Sequence, residues 1–141
     1  MSAAGPAEVP KSVAVLTGAV RAGALSAHEV HLCATVRRLV PAADDDELRT
    51  LALCARAVRT GHSCIDLEAP PVILDARETV VAGLVPEDRA AWRAALETSS
   101  LVRVVGEPES DRGGPRDSRP LVLDGDRVYL DRWWHHECRV A

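Results

Sequence analysis

The sequence has no phenylalanine, one tyrosine, one methionine and three tryptophans. Aromatic residues are 3% of the chain, so any core must be assembled from Ala, Val and Leu. Lysine is nearly missing as well: of 17 basic residues only Lys11 is a lysine. The net charge of −4 argues against a surface built throughout to neutralise phosphates. Long apolar runs are lacking. The longest candidate, "SVAVLTGAVRAGAL", meets Arg21 and falls short of the roughly 20 residues of a membrane span. Its apolar centre is also weak for a signal peptide, and a helix is the simpler reading. The four cysteines, Cys33, Cys54, Cys64 and Cys138, contain no CxxC pair and no disulfide framework. Buried and reduced, such thiols behave as small hydrophobes, and a cytoplasmic compartment without membrane contact is expected.

Catalytic signatures are missing too. The sequence holds no GxxxxGK[ST] phosphate loop, no GxSxG elbow and no HExxH. Gly113-Gly114 is followed by Pro115 in a polar run, not set between a strand and a helix. Asp44, Asp45 and Asp46 read as acidic residues placed at a positive helix start. No catalytic residue, bound cofactor or metal is therefore expected in this chain.

What remains is the pattern of a single domain of 141 residues, enough for one core without a metal or disulfides. Residues 1–11 form a flexible arm of small residues and prolines, and 12–141 form the domain. Val13, Leu16 and Val20 recur at helical spacing over about 12–22, ended by Gly23. Ser26 and Glu29 make a capping box, opening a helix with Leu32, Val36, Leu39 and Val40 on one side up to Pro41. Asp44, with Glu47 three residues on, starts a third helix striped by Leu48, Leu51, Ala52, Ala55 and Val58. Gly61 supplies its left-handed end. These three should pack as a small bundle. Cys64, Ile65 and Leu67 form a short extended stretch, and "ARETVVAGLV" fits a strand or a weak helix. Pro86 opens a fourth helix with Trp92, Ala95 and Leu96 inward.

Residues 106–119 are a polar, turn-rich flexible loop. Residues 120–130 form a β-hairpin around Asp124-Gly125, in a type I′ turn pairing Leu121 with Val128. Leu121, Leu123, Val128 and Leu130 would share one face, with Val122 and Tyr129 on the other. Residues 131–141 begin a last helix that is still running at the final residue. The fold class is mainly α with a small β element: a helical bundle, a Trp-bearing helix, and one C-terminal hairpin leading into a terminal helix.

Three His/Cys groupings, His31 with Cys33, His62 with Cys64, and His135-His136 with Cys138, raise a zinc-binding regulatory domain as one alternative. None has the Cys–Cys spacing of a structural zinc site. Trp133, Trp134 and Tyr129 raise a second, a module stacking single-stranded nucleic acid, with Arg127, Arg132 and Arg139 reaching phosphate. Asp124, Asp126, Asp131 and Glu137 dilute that charge. Aromatic residues are also enriched at protein–protein hot spots, and core plus interface is the preferred reading.

Three segments carry a family resemblance: "RTGHSCIDL", "AAWRAALETSSLV" and, most specifically, "PLVLDGDRVYLDRWWHHECRVA". Together they resemble the N-terminal domain of the RecD family, the alpha subunit of the RecBCD helicase–nuclease, exodeoxyribonuclease V. The resemblance implies a non-catalytic docking piece in double-strand-break repair and recombination. Its partners would be the RecC-like gamma subunit, the RecB-like beta subunit and a downstream helicase motor, with DNA met only through the complex. ATP and Mg would belong to that motor, whose absence here suggests an excised domain or a short gene product. Tyr129, Trp133, Trp134 and Val140 are the residues expected to pack against a partner or the motor.

Overall fold

The computed structural model describes residues 11–81, 83–106 and 119–140, without the side chains of 11–15 and 140. Most of the expected arm and of the loop 106–119 thus lies outside the described residues, as do the side chains of Val13 and Val140. The fold is mainly α with a small β element. Helices α1 (Lys11–Arg21), α2 (Ala27–Leu39) and α3 (Asp45–Arg59) come first, then strand β1 (Cys64–Asp66), helix α4 (Arg89–Thr98) and strand β2 (Val102–Val104). Strands β3 (Leu121–Asp124) and β4 (Arg127–Leu130) lead directly into helix α5 (Asp131–Val140).

Helix α3 is the centre of the molecule. The Asp44 carboxylate accepts a hydrogen bond from Glu47 N at 2.9 Å, satisfying one of the four N–H groups a helix start leaves unpaired. At the other end Gly61, at φ +94°, donates to Val58 O while His62 N donates to Ala57 O. This doubly bonded helix end needs a left-handed residue, which glycine provides without a Cβ clash. Between the caps Leu48, Leu51, Ala52, Leu53, Cys54 and Ala57 are all buried. The buried surface is wider than the expected stripe, because α1 and α2 pack against the helix on one side and the sheet on another.

The capping box of α2 takes a different form. The Ser26 hydroxyl donates a hydrogen bond to Glu29 Oε2 and makes none to the helix backbone. Glu29 is drawn inward, 2% exposed, with its other oxygen 2.8 Å from Arg59 Nε on α3. The packed side of α2 therefore runs through Glu29, Cys33, Val36 and Val40, and Leu39 is turned out to solvent instead of inward as its spacing suggested.

Three further expectations are corrected. The fourth helix starts at Arg89, not Pro86, because Asp88 caps it by accepting from Ala91 N at 3.0 Å. The described residues of the stretch 76–85 form neither a full strand nor a helix. Asp75 Oδ1 accepts from the Arg77 and Thr79 amides and folds the chain into a tight turn bridged between Leu74 and Val80. The hairpin turn is Gly125-Asp126, so Leu121 pairs with Leu130 and Leu123 with Val128. Only Gly125 has positive φ, +62°, which fits a turn with glycine at the first central position (type II′) in place of type I′. Sliding the turn by one residue changes each partner by two, so the assignment of side chains to faces survives.

The hairpin is also the middle of a larger sheet, ordered β1-β4-β3-β2. β1 runs antiparallel to β4, and β2 runs parallel to β3. Leu121, Leu123, Val128 and Ile65 turn one face of this sheet into the core shared with α3 and α4.

Where α4 meets α3, polar groups enter the core. Trp92 Nε1 donates to Thr50 Oγ1 at 2.8 Å, and that hydroxyl donates to Asp46 O at 2.7 Å. Glu47 is nearly enclosed beside them, hydrogen-bonded to Ser99, with its Oε2 left without a partner. Burial, and next the charge of Asp44, raise the Glu47 pKa above the ordinary carboxylate value. A raised folded-state pKa means that the unfolded chain loses this proton first as pH rises. Glu47 thus subtracts stability progressively from the ordinary carboxylate range upward, and nothing below it. Glu47→Gln should accordingly gain stability relative to the native chain between acidic and neutral pH. Urea denaturation at both ends of that range checks this, and an offset independent of pH would contradict it.

Candidate protein-interaction site

The second face of the sheet is set by register. Cys64, Tyr129, Val122 and Arg103 stand in one row across β1, β4, β3 and β2, and Asp66, Arg127 and Asp124 form the next row. Helix α5 leaves β4 at once and its first turn lies over this face; Asp131 N donates to Pro120 O at 2.9 Å at the join. Val122 is fully buried and Tyr129 is 8% exposed, so the phenol is largely covered by the chain itself. Burial raises the Tyr129 pKa, while the hydrogen bond from Arg127 pulls it the other way.

Trp134 is held at the edge of this layer. Its Nε1 donates to Asp124 Oδ2 at 3.2 Å, and the Arg103 guanidinium lies 4.5 Å from its ring centroid. A cation over an indole face is attracted by the ring quadrupole, about 0.5–1 kcal/mol at an open site. Asp131 Oδ1 lies 3.6 Å from Arg103 and 3.3 Å from His135 Nε2, joining the helix start to β2. Trp133 has less support: its neighbour is His136, edge-on at 5.5 Å. Both indoles are half-buried, whereas the described side chains from His135 onward are exposed. Seated by its first turn alone, α5 leaves most of its length uncovered.

Of the residues expected at an interface, the structure brings Tyr129 and Trp134 onto one layer and places Trp133 beside it. Val140 belongs to α5, but its side chain lies outside the described residues. Arg103 and Asp124, which position Trp134, were missed as site residues. No local signal marks Arg103, since its place depends on the parallel pairing of β2 with β3 across a connection of more than a dozen residues.

The cysteines and histidines do not converge. Among the described residues, no group of three or more His, Cys, Asp or Glu side chains is arranged to hold a metal ion. Cys33 and Cys54 are buried, with Sγ directed at Leu48 O and Val128 O. Burial, with the nearby Glu29 charge, pushes the Cys33 thiol up to about 12, and burial also drives Cys54 upward. Thiols so shifted are poor nucleophiles and poor ligands. Among the described residues no helix is long and apolar enough to cross a membrane.

Residues 21–129 match the family described as RecBCD enzyme subunit RecD, N-terminal domain. The chain belongs to this family. A RecBCD enzyme subunit RecD from Mycolicibacterium smegmatis is 32% identical over 113 residues, 80% of this chain and 17% of that protein. The subunits of the same name from two Mycobacterium tuberculosis strains are 31% identical over 122 residues, 86% of this chain and 18% of theirs. The domain thus spans less than a fifth of the length of these curated relatives. The matched region begins at the last residue of α1 and takes in α2, α3, the Trp92 helix and the sheet up to Tyr129, but stops short of Trp133 and Trp134.

Proposed function

We propose that this domain is a non-catalytic assembly piece of a RecD-like subunit, docking within a cytoplasmic RecBCD-type exodeoxyribonuclease V that repairs and recombines double-strand breaks. Its protein partners in this reading are a RecC-like gamma subunit, a RecB-like beta subunit and the helicase motor of its own subunit. DNA is met through the complex, and ATP and Mg are bound by the motor. The observation that carries the reading is the half-covered indole pair on α5, a helix held to the domain by its first turn. Aromatic side chains so placed supply large apolar area at little conformational cost and recur as interface anchors. Arg103 already occupies one face of Trp134, which leaves only the other for a stacking base.

The test is co-expression of the chain with a RecC-like gamma subunit, followed by size-exclusion chromatography and titration calorimetry. Co-elution is expected, with affinity lowered at least about tenfold by Trp133→Ala with Trp134→Ala, a loss of about 1.4 kcal/mol. The purified chain should show no ATPase activity. Salt-sensitive quenching of these indoles by single-stranded DNA, with no gamma-subunit binding, would overturn the reading.

A further inference from the structure

A groove of about 630 Å³ is lined by β1, by α3 and by the chain that follows β1. Three consecutive β1 residues, Cys64, Ile65 and Asp66, line it. A sheet face shows only every second residue, so three in succession mean that the groove lies against the strand's edge. β1 is the terminal strand, paired on one side by β4. The direction of its polar groups follows from the pairing. Leu67 N donates to Asp126 O at 2.8 Å, and antiparallel hydrogen-bonded positions recur every second residue. Leu67 and Ile65 therefore bond inward to β4, while the backbone N–H and C=O groups of Cys64 and Asp66 point into the groove. The chain that follows cannot complete this ladder from Pro70 and Pro71, which have no N–H to give.

The groove has the other properties a strand partner needs. Leu53 and Ala57 of α3, both nearly buried, line its floor, and Val72, 70% exposed, supplies its open apolar surface. Two guanidiniums, Arg56 and Arg127, flank it with one carboxylate, Asp66, whose Oδ1 already accepts from Glu68 N. Arg56 is fixed by donating from Nε to Ala24 O at 3.0 Å. Arg127 stands between Asp66 and Asp124 in its row, while Arg56 has no carboxylate beside it among the groove's lining but Asp66, and among the described residues no further strand pairs this edge.

We infer that the open edge of β1 takes an extended segment of a partner polypeptide as an added strand, one carrying a carboxylate between β-branched apolar residues. Backbone bonds to Cys64 and Asp66 would supply the affinity, as in other strand-addition complexes. The apolar surface of Leu53, Ala57 and Val72 selects the apolar side chains, and Arg56 and Arg127 select the carboxylate. This goes beyond the assembly reading and uses none of its aromatic residues.

The test uses the whole chain, labelled with 15N, titrated with the blocked peptide acetyl-Thr-Val-Glu-Val-Thr-amide. Saturable amide shifts centred on Cys64 to Asp66 are expected. The same peptide N-methylated at its central residue, or with lysine there, should bind at least about tenfold more weakly. Val72→Asp, at a site 70% exposed, should weaken binding similarly by removing apolar contact and repelling the carboxylate, while Trp133→Ala with Trp134→Ala should leave it unchanged. Absence of saturable shifts at β1, or equal binding of the N-methylated peptide, would overturn the inference without touching the assembly role. Loss of gamma-subunit binding alone would do the reverse.

Discussion

Trp92→Ala should cost this domain about 3–5 kcal/mol, the usual effect of deleting a buried aromatic side chain. Trp92 is 1% exposed and among the largest fully buried side chains of the described residues, joining α4 to α3. The rest of the core cluster is aliphatic residues and cysteine, so no other aromatic ring in it can move into the space. Domains of this size are stable by about 5–15 kcal/mol, so the loss takes a large share of the total. Trp92→Phe separates packing from polarity. It keeps most of the ring and removes the donor to Thr50, whose hydroxyl still donates to Asp46 O, so a cost of about 1–2 kcal/mol is expected. Urea denaturation followed by far-ultraviolet circular dichroism measures both. A Trp92→Ala chain within about 1 kcal/mol of the native one would show that α4 is dispensable to the core.

The elements that sequence revealed best are those whose cause is local. Asp44 and Gly61 bound α3 because a carboxylate and a left-handed residue act on backbone groups within a few positions. The inward face of the hairpin was legible from alternation alone, and so was the inward side of Trp92. The errors lie where a choice depends on distant chain. Leu39 has the spacing of a packed residue, but the ion pair of Glu29 with Arg59, 30 positions away, rotates α2 away from it. Pro86 was read as the helix start, and the bond of the Asp88 carboxylate to Ala91 N moves that start to Arg89. "SSLVRVVG" gave no sign of becoming a parallel strand beside β3, and with that pairing the positioning of Trp134 by Arg103 was hidden. The aromatic cluster was therefore readable in the sequence, but its electrostatic frame was not.

That frame changes the meaning of the second sheet face. An antiparallel hairpin standing alone would expose Val122 and Tyr129, but both are buried, because β2 brings Arg103 alongside and α5 lies over the row. The domain uses one aromatic, Tyr129, largely for its own closure and leaves the two indoles half covered. The two candidate contact regions then follow from one architecture. Among the described residues, a small sheet closed against α3 on one face and by a single helical turn on the other leaves one of its two outer strands, β1, beside a groove and its emerging helix, α5, exposed beyond the first turn.

The buried ion pair that rotates α2 gives the second large effect. Arg59→Ala should destabilise the domain by about 2 kcal/mol. Removing one partner of a buried pair ordinarily costs about 3–5 kcal/mol, because the other charge stays buried without compensation. Here the figure is reduced, since the Arg59 side chain is 44% exposed and water can approach the vacated position. A second offset comes from Arg56, whose pKa is lowered by burial and next by the neighbouring Arg59 charge, a repulsion that the substitution relieves. If the uncompensated carboxylate is the source of the cost, neutralising it should help. Glu29→Gln introduced into Arg59→Ala should recover stability, although Glu29→Gln alone should lose it. A double-mutant cycle by urea denaturation reads the coupling directly, expected at about 1–2 kcal/mol. Single costs that simply add, to within about 0.5 kcal/mol, would mean that Arg59 supports α2 through its aliphatic stem and not through Glu29.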